Sequence, residues 1–128
     1  MSAGKEIYQH IKDIMDEKTL VAILDAFPYP IVFVDCEHII RFLNQNARYH
    51  YYQERGYRDL IGKSLFDCHL VHSKEKILEN VEKFKNHGQE SFLTVTVKNQ
   101  RLYITPVRNE EGELIGYIER FELNQQIL

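Results

Sequence analysis

The sequence predicts a single α+β domain in which five antiparallel strands carry helices on one face, and three observations support this. First, 128 residues suit one hydrophobic core and leave no room for a second. Second, 44% hydrophobic and 27% charged residues are ordinary globular values, which excludes collagen-like, coiled-coil-only and disordered chains. Third, the apolar patterning runs helix, helix, two strands, a helical middle and three strands, and runs of strands separated from runs of helices are the mark of this class.

The elements follow in order. Ile7, Ile11 and Ile14 recur at helical spacing among charged residues, predicting an N-terminal amphipathic helix over residues 1–17. Its narrow stripe needs a partner, either the domain's own sheet or the same helix of a second copy. Thr19 is the expected N-cap of a short helix that Pro28 and Pro30 stop. Residues 31–35 and 39–43 read as two strands of a hairpin, turning at Asp35, Cys36, Glu37 and His38. Asn44 and its neighbours begin a helical middle of short pieces. Ser73 is the expected cap of the longest helical pattern, residues 73–87, which His87 and Gly88 close. Strands are expected at 91–97, 102–107 and 114–121, with Pro106 marking an edge or a bulge. The domain proper is placed at residues 18–123, with 124–128 as a tail.

Charge and cysteine use narrow the function classes. A net charge of −3 implies no basic face for nucleic acid. The longest unbroken apolar run, residues 20–24, is far below the roughly 20 residues of a membrane span. The first ten residues hold no apolar signal core. Cys36 and Cys68 form no CxxC pair and no disulfide framework, so a reducing, cytoplasmic setting is expected. There is no Gly-x-Ser-x-Gly elbow, no phosphate-cradling loop and no His-Glu-x-x-His helix. An acid–base site built on Asp35 with Tyr29 or Tyr103 is conceivable, but an Asx turn is the simpler role for Asp35. Tyrosines 49, 51, 52 and 57 among arginines would suit nucleic-acid stacking, which the acidic total opposes.

Four stretches, in order, resemble the PAS domain family. ILDAFPYPIVFVD at 23–35 resembles that family's first helix, its Pro-containing bend and its first strand. IIRFLNQNA at 39–47 resembles its second strand and the Asn-x-x-Ala start of the next helix. LIGKSLFDCH at 60–69 resembles the Gly-containing element before the long helix, and VRNEEGELIGYIERFEL at 107–123 the final hairpin. Cys68, His69 and Ser73 further resemble the Cys-His-Pro-Pro-x-Ser stretch of a PAS subgroup found with hemerythrin-like and regulatory domains, with Leu70 and Val71 in place of both prolines. The resemblance implies a five-stranded sheet ordered 2-1-5-4-3 and a role in sensing or protein interaction.

The expected reading is a homodimeric, cytoplasmic PAS sensor that binds a small ligand between sheet and long helix. Its pocket would draw on Phe33, Phe42, His69, His72, Phe84, Phe92, Tyr103 and Tyr117, and its dimer contact on Ile7, Ile11 and Ile14. Some PAS domains bind haem through a histidine of the helical region, so His69 or His72 is a candidate axial ligand, imidazole being largely neutral near pH 7. A bare divalent ion at Cys68, His69 and His72 lacks a visible fourth ligand. The photoreactive-flavin subgroup is excluded, because its Asn-Cys-Arg-Phe-Leu-Gln helix is absent. The competing reading is an interaction module with no ligand, its interior filled by its own aromatics.

Overall fold

A computed structural model describes residues 15–68, 71–96 and 99–123, with the backbone alone at residues 68, 71–73 and 92. The expected N-terminal helix with Ile7, Ile11 and Ile14, and the candidate ligand His69, lie outside the described residues. The elements are α1 (Glu17–Asp25), β1 (Ile31–Asp35), β2 (Ile40–Leu43), α2 (Gln45–Arg48), a π-helical segment (Tyr49–Glu54), a 3-10 turn (Leu65–Cys68), α3 (Val71–Lys85), β3 (Ser91–Val95), β4 (Gln100–Arg108) and β5 (Leu114–Leu123). The strands form one antiparallel sheet in the order β2-β1-β5-β4-β3.

Several boundaries differ from the sequence reading for local reasons. α1 starts two residues before Thr19 because Asp16 is its N-cap, accepting from the Thr19 amide at 2.8 Å. Ser73 is likewise inside α3, which begins at Val71. At the other end α3 closes in a Schellman turn: His87 takes φ 69° and Gly88 donates to the Lys83 carbonyl at 2.7 Å. β3 stops at Val95 because Thr96 already turns, donating to Gln100 at 2.8 Å. Pro106 lies inside β4, an interior strand by order. Its position is tolerated because β3 pairs with β4 only as far as Ile104, so Pro106 has a neighbouring strand on the β5 side alone among the described residues.

The core lies on one sheet face. Val32, Val34, Ile40, Leu43, Ile104 and Tyr117 cluster with Ile77, Val81 and Phe84 from α3 and with Ala47, Tyr51, Leu60 and Leu65 from the connecting segments. Spacing of 4 and 3 residues puts the three α3 side chains on one stripe. Fully burying each such side chain contributes about 1.5–3 kcal/mol, so this layer fixes where α3 sits. Arg108 of β4 adds a polar clamp, donating to the Phe84 carbonyl at 2.6 Å, where the last turn of α3 leaves carbonyls unsatisfied.

Candidate functional site

Strand alternation divides the residues expected to line one pocket. Tyr117 (β5) and Phe84 (α3) face the core, at 1% and 0% exposure, so they fill the space beneath α3 rather than border it. Phe33 pairs with Phe42 and with Ile118, and Tyr103 with Arg120 and Phe92, in registers opposite in phase to Val32 and Ile104. Phe33, Phe42 and Tyr103 therefore lie on the outer face, away from α3, and Phe92 takes an outer-face register position. The correction to the sequence reading is physical: apolar residues occupy the first four positions of β1, so its alternation is masked. His72 falls in the first turn of α3, and its side chain is not described.

This divided set does not fit a haem, because the described aromatics stand on two sides of the sheet. No cluster of three His, Cys, Asp or Glu able to hold a metal occurs among the described residues.

The outer face is itself divided. Its first half is an apolar groove of about 290 Å³ lined by Leu24, Ile31, Phe33, Phe42, Val107 and Ile118. No titratable group lines it among the described residues. Gly116 allows the strands to close beneath it, since a Cβ there would stand 2.2 Å from the Val34 carbonyl oxygen and 2.8 Å from the Phe33 ring. α1 borders this half with Leu20, Val21, Ile23 and Leu24 all exposed and no residue buried, and Phe27 just past its end is exposed as well.

The second half is a polar groove of about 430 Å³ lined by Tyr29, Arg101, Tyr103, Glu122 and Leu123. Arg120 bonds both Glu90 oxygens at 2.9 and 3.0 Å and Glu122 at 3.0 Å, while its guanidinium lies 4.4 Å from the Tyr103 ring centre. The Arg120 hydrogen bonds hold the Glu90 and Glu122 carboxyls below the usual range, and Glu90 in turn raises Arg120. These charges are mutually neutralised, which suits a structural ladder across β5 and the α3–β3 connection.

Asp35 is occupied in the same sense. Its Oδ1 accepts from the Glu37 and Ile39 amides at 2.9 and 3.0 Å, and its Oδ2 from Arg41 at 2.8 Å. Burial pushes its carboxyl up, but the Arg41 and backbone hydrogen bonds together outweigh it and leave the value low. That is an Asx turn, not a general base.

Sequence reasoning missed three interior polar groups. His38, at φ 66° in the β1–β2 turn, bonds the Tyr117 hydroxyl at 2.8 Å and packs on Phe66 at 4.8 Å. Burial lowers its imidazole, against the opposing pull of Asp35. Burial, and then the neighbouring Glu119, pushes the Tyr117 phenol far above its ordinary value. Glu119 is fully buried on the core face of β5 between Val32 and Ile104, and Asn80 is buried on the sheet-facing stripe of α3. Once the phase of β5 is set by Tyr117 and Phe121, the inward glutamate is legible.

With the geometry in place, the comparisons define the class. The PAS-domain family pattern matches residues 20–122, so the chain belongs to the PAS family. PAS domains are typically sensory or interaction modules of signalling proteins. Among solved structures, a C-terminal domain from Streptococcus mutans is 18% identical, each chain covering 84% of the other, with a TM-score of 0.65. The PAS domain of a Colwellia psychrerythraea protein is 16% identical over 85% of this chain and 98% of its own, TM-score 0.62. A sensory box sensor histidine kinase from Vibrio cholerae is 17% identical over 82% and 88%, TM-score 0.55. No curated protein gives a significant match. No helix among the described residues is long and apolar enough to cross a membrane.

Proposed function

We propose that this PAS domain is the sensory and interaction module of a cytoplasmic signalling protein. It works as a homodimer whose second copy meets α1, the segment with Ile7, Ile11 and Ile14, and the outer sheet face. The observation that carries this reading is the apolar groove bordered by a helix none of whose apolar side chains is buried, since contiguous exposed apolar surface of this kind marks association sites. Sensor histidine kinases among the solved relatives agree with the role by name.

The proposed input is a small ligand that displaces α3 from the inner sheet face, opening the space that Phe84 and Tyr117 fill, in the apolar layer that also holds Glu119 and Asn80. α3 reaches the outer face through two links, Arg108 on its last carbonyls and Glu90 on Arg120. A ligand that binds two placements of α3 unequally would thereby bias the outer-face contact. The complete burial of Phe84 and Tyr117 favours a second reading, an interaction module with no ligand.

Analytical ultracentrifugation of the full chain and of Ile118→Glu tests the dimer. The wild type is expected as a dimer and the variant as a folded monomer. A wild type that is monomeric at every concentration, or a dimer indifferent to the substitution, overturns it. Native mass spectrometry separates the two readings by the presence or absence of a co-purifying small molecule.

A further inference from the structure

His38 joins three parts of the fold that lie apart in sequence. Its Nδ1 stands 2.8 Å from the hydroxyl of Tyr117, the buried β5 residue beneath α3. Its ring packs on Phe66 of the 3-10 turn at 4.8 Å, and its carbonyl accepts from the Leu65 amide of the same turn at 2.8 Å. The Lys74 ammonium of α3 lies 5.0 Å from the centre of the Phe66 ring, so the contacts run from the β1–β2 turn to the long helix. Among the described residues, His38 Nδ1 is the one hydrogen-bond partner of the Tyr117 hydroxyl. A buried phenol needs an acceptor for its proton, and a neutral imidazole supplies one at its bare nitrogen. An imidazolium supplies none, since both of its nitrogens donate.

We propose that Nδ1 of neutral His38 accepts the Tyr117 O–H, and that a proton taken from solvent onto Nδ1 releases this contact and loosens the 3-10 turn and α3 over the inner sheet face. The domain then answers acidification directly. The phenol keeps its own proton throughout, which burial and then Glu119 hold on it. The surroundings of the ring admit a positive charge poorly. Burial resists it first; Asp35 at the end of β1 draws it, while Lys85 and Lys74 of α3 repel it. The Asp35 carboxylate is already committed to Arg41 and to the Glu37 and Ile39 amides, and Phe66 carries no charge. Burial also keeps the Cys36 thiol, next in the turn, protonated. The charged ring therefore reaches water by a swing of the turn, whose Cys36 and Glu37 are already exposed, and this leaves the Tyr117 hydroxyl without its acceptor. The device needs neither a small ligand nor a second copy, so it holds or fails apart from the readings above.

Hydrogen–deuterium exchange of the full chain at pH 7.5 and 5.5, corrected for the intrinsic pH dependence of exchange, tests this in wild type, His38→Asn and Tyr117→Phe. At pH 5.5 an imidazole freed to its ordinary value of about 6.5 is protonated by about ten to one. Exchange across residues 65–67 and 74–85 of the wild type should therefore rise severalfold, by at most about tenfold, with β4 unchanged. Both substitutions should remove the rise, since one deletes the titrating ring and the other the hydroxyl that it strands. No rise, a rise shared equally by β4, or a rise that persists in Tyr117→Phe overturns the proposal. Nitrogen-15 NMR of the wild-type imidazole checks the tautomer without any substitution: Nδ1 is expected bare at pH 7.5, and a proton found there overturns the proposal as well.

Discussion

The Asn44 side-chain amide donates to the Leu24 carbonyl at 3.0 Å, tying the last turn of α1 to the start of α2. The same fully buried side chain donates to the Tyr29 carbonyl and accepts from the Ile31 and Ala47 amides, so all four of its hydrogen-bonding positions are used. Because α1 buries no side chain of its own, it is held by this polar knot together with the Asp25 carboxylate, which accepts from the Gln45 amide at 2.7 Å and pairs with Arg48 at 3.5 Å. The unit proposed to meet a second copy is thereby joined to the core by hydrogen bonds rather than by packing.

Asn44→Leu strands the Ile31 and Ala47 amides and takes a donor from the Leu24 and Tyr29 carbonyls, of which Leu24 keeps the Phe27 amide. Each buried group left unsatisfied costs about 1–3 kcal/mol, partly relieved by relaxation, so a loss of about 3 kcal/mol or more is expected in urea unfolding. A loss under about 1 kcal/mol would mean that water replaces the side chain and that the knot does not hold α1.

Gly116→Ala tests the closeness of β1 and β5 beneath the apolar groove. With a Cβ falling 2.2 Å from a backbone oxygen, neither partner can yield without parting the strands. Overpacking of this severity costs about 3 kcal/mol. The expected result is a lowered thermal midpoint together with faster amide exchange along residues 31–35. An unchanged midpoint would show that the strands can separate freely.

Much of this fold was legible in the residues, for identifiable reasons. Each strand announced itself because its runs are apolar and bounded by turn residues, and the hairpin at Asp35 needed only an Asx residue before a short connection. The two faces were not legible in β1, where Ile31, Val32, Phe33 and Val34 are apolar alike and period two leaves no trace. In β4 the trace existed: Arg101, Tyr103 and Thr105 share a phase opposite to Leu102 and Ile104, which places Tyr103 with the charged residues. The π-helical segment had no signature, since its extra residue per turn is set by the packing of Tyr51 and by His50 lying 5.5 Å from Phe121. Candidate pocket residues drawn by residue type alone therefore mixed two surfaces.

The closing turn of α3 makes a paired prediction. His87 holds φ 69°, a region that costs a side-chain-bearing residue about 1 kcal/mol relative to glycine, so His87→Gly should raise stability by about that amount. Gly88→Ala should do the reverse, because its Cβ would stand 2.6 Å from the Lys83 carbonyl oxygen. Thermal unfolding of both variants measures this, and a stabilising Gly88→Ala would refute the tight turn.

Acid should weaken the domain in two separate windows. Burial lowers the His38 imidazole in the folded state, so between its folded value and the ordinary histidine value of about 6.5 the unfolded chain binds the proton and the folded chain resists it. Stability from His38 is therefore complete above about pH 6.5 and declines as pH falls toward the folded value. Glu90 is also lowered, chiefly by Arg120. Its contribution is full above the ordinary glutamate value of about 4.3 and is lost as pH drops through its lower folded value. The Glu90 side chain keeps 36% of its surface exposed, so solvent screening limits this pair to within about 1 kcal/mol. Urea unfolding at several pH values separates the two. His38→Asn, which tolerates the positive φ, should remove the decline that begins as pH falls below about 6.5, and Glu90→Gln the further decline that begins below about pH 4.3. If His38→Asn leaves the upper slope intact, His38 carries no pH-dependent stability and its hydrogen bond to Tyr117 survives protonation.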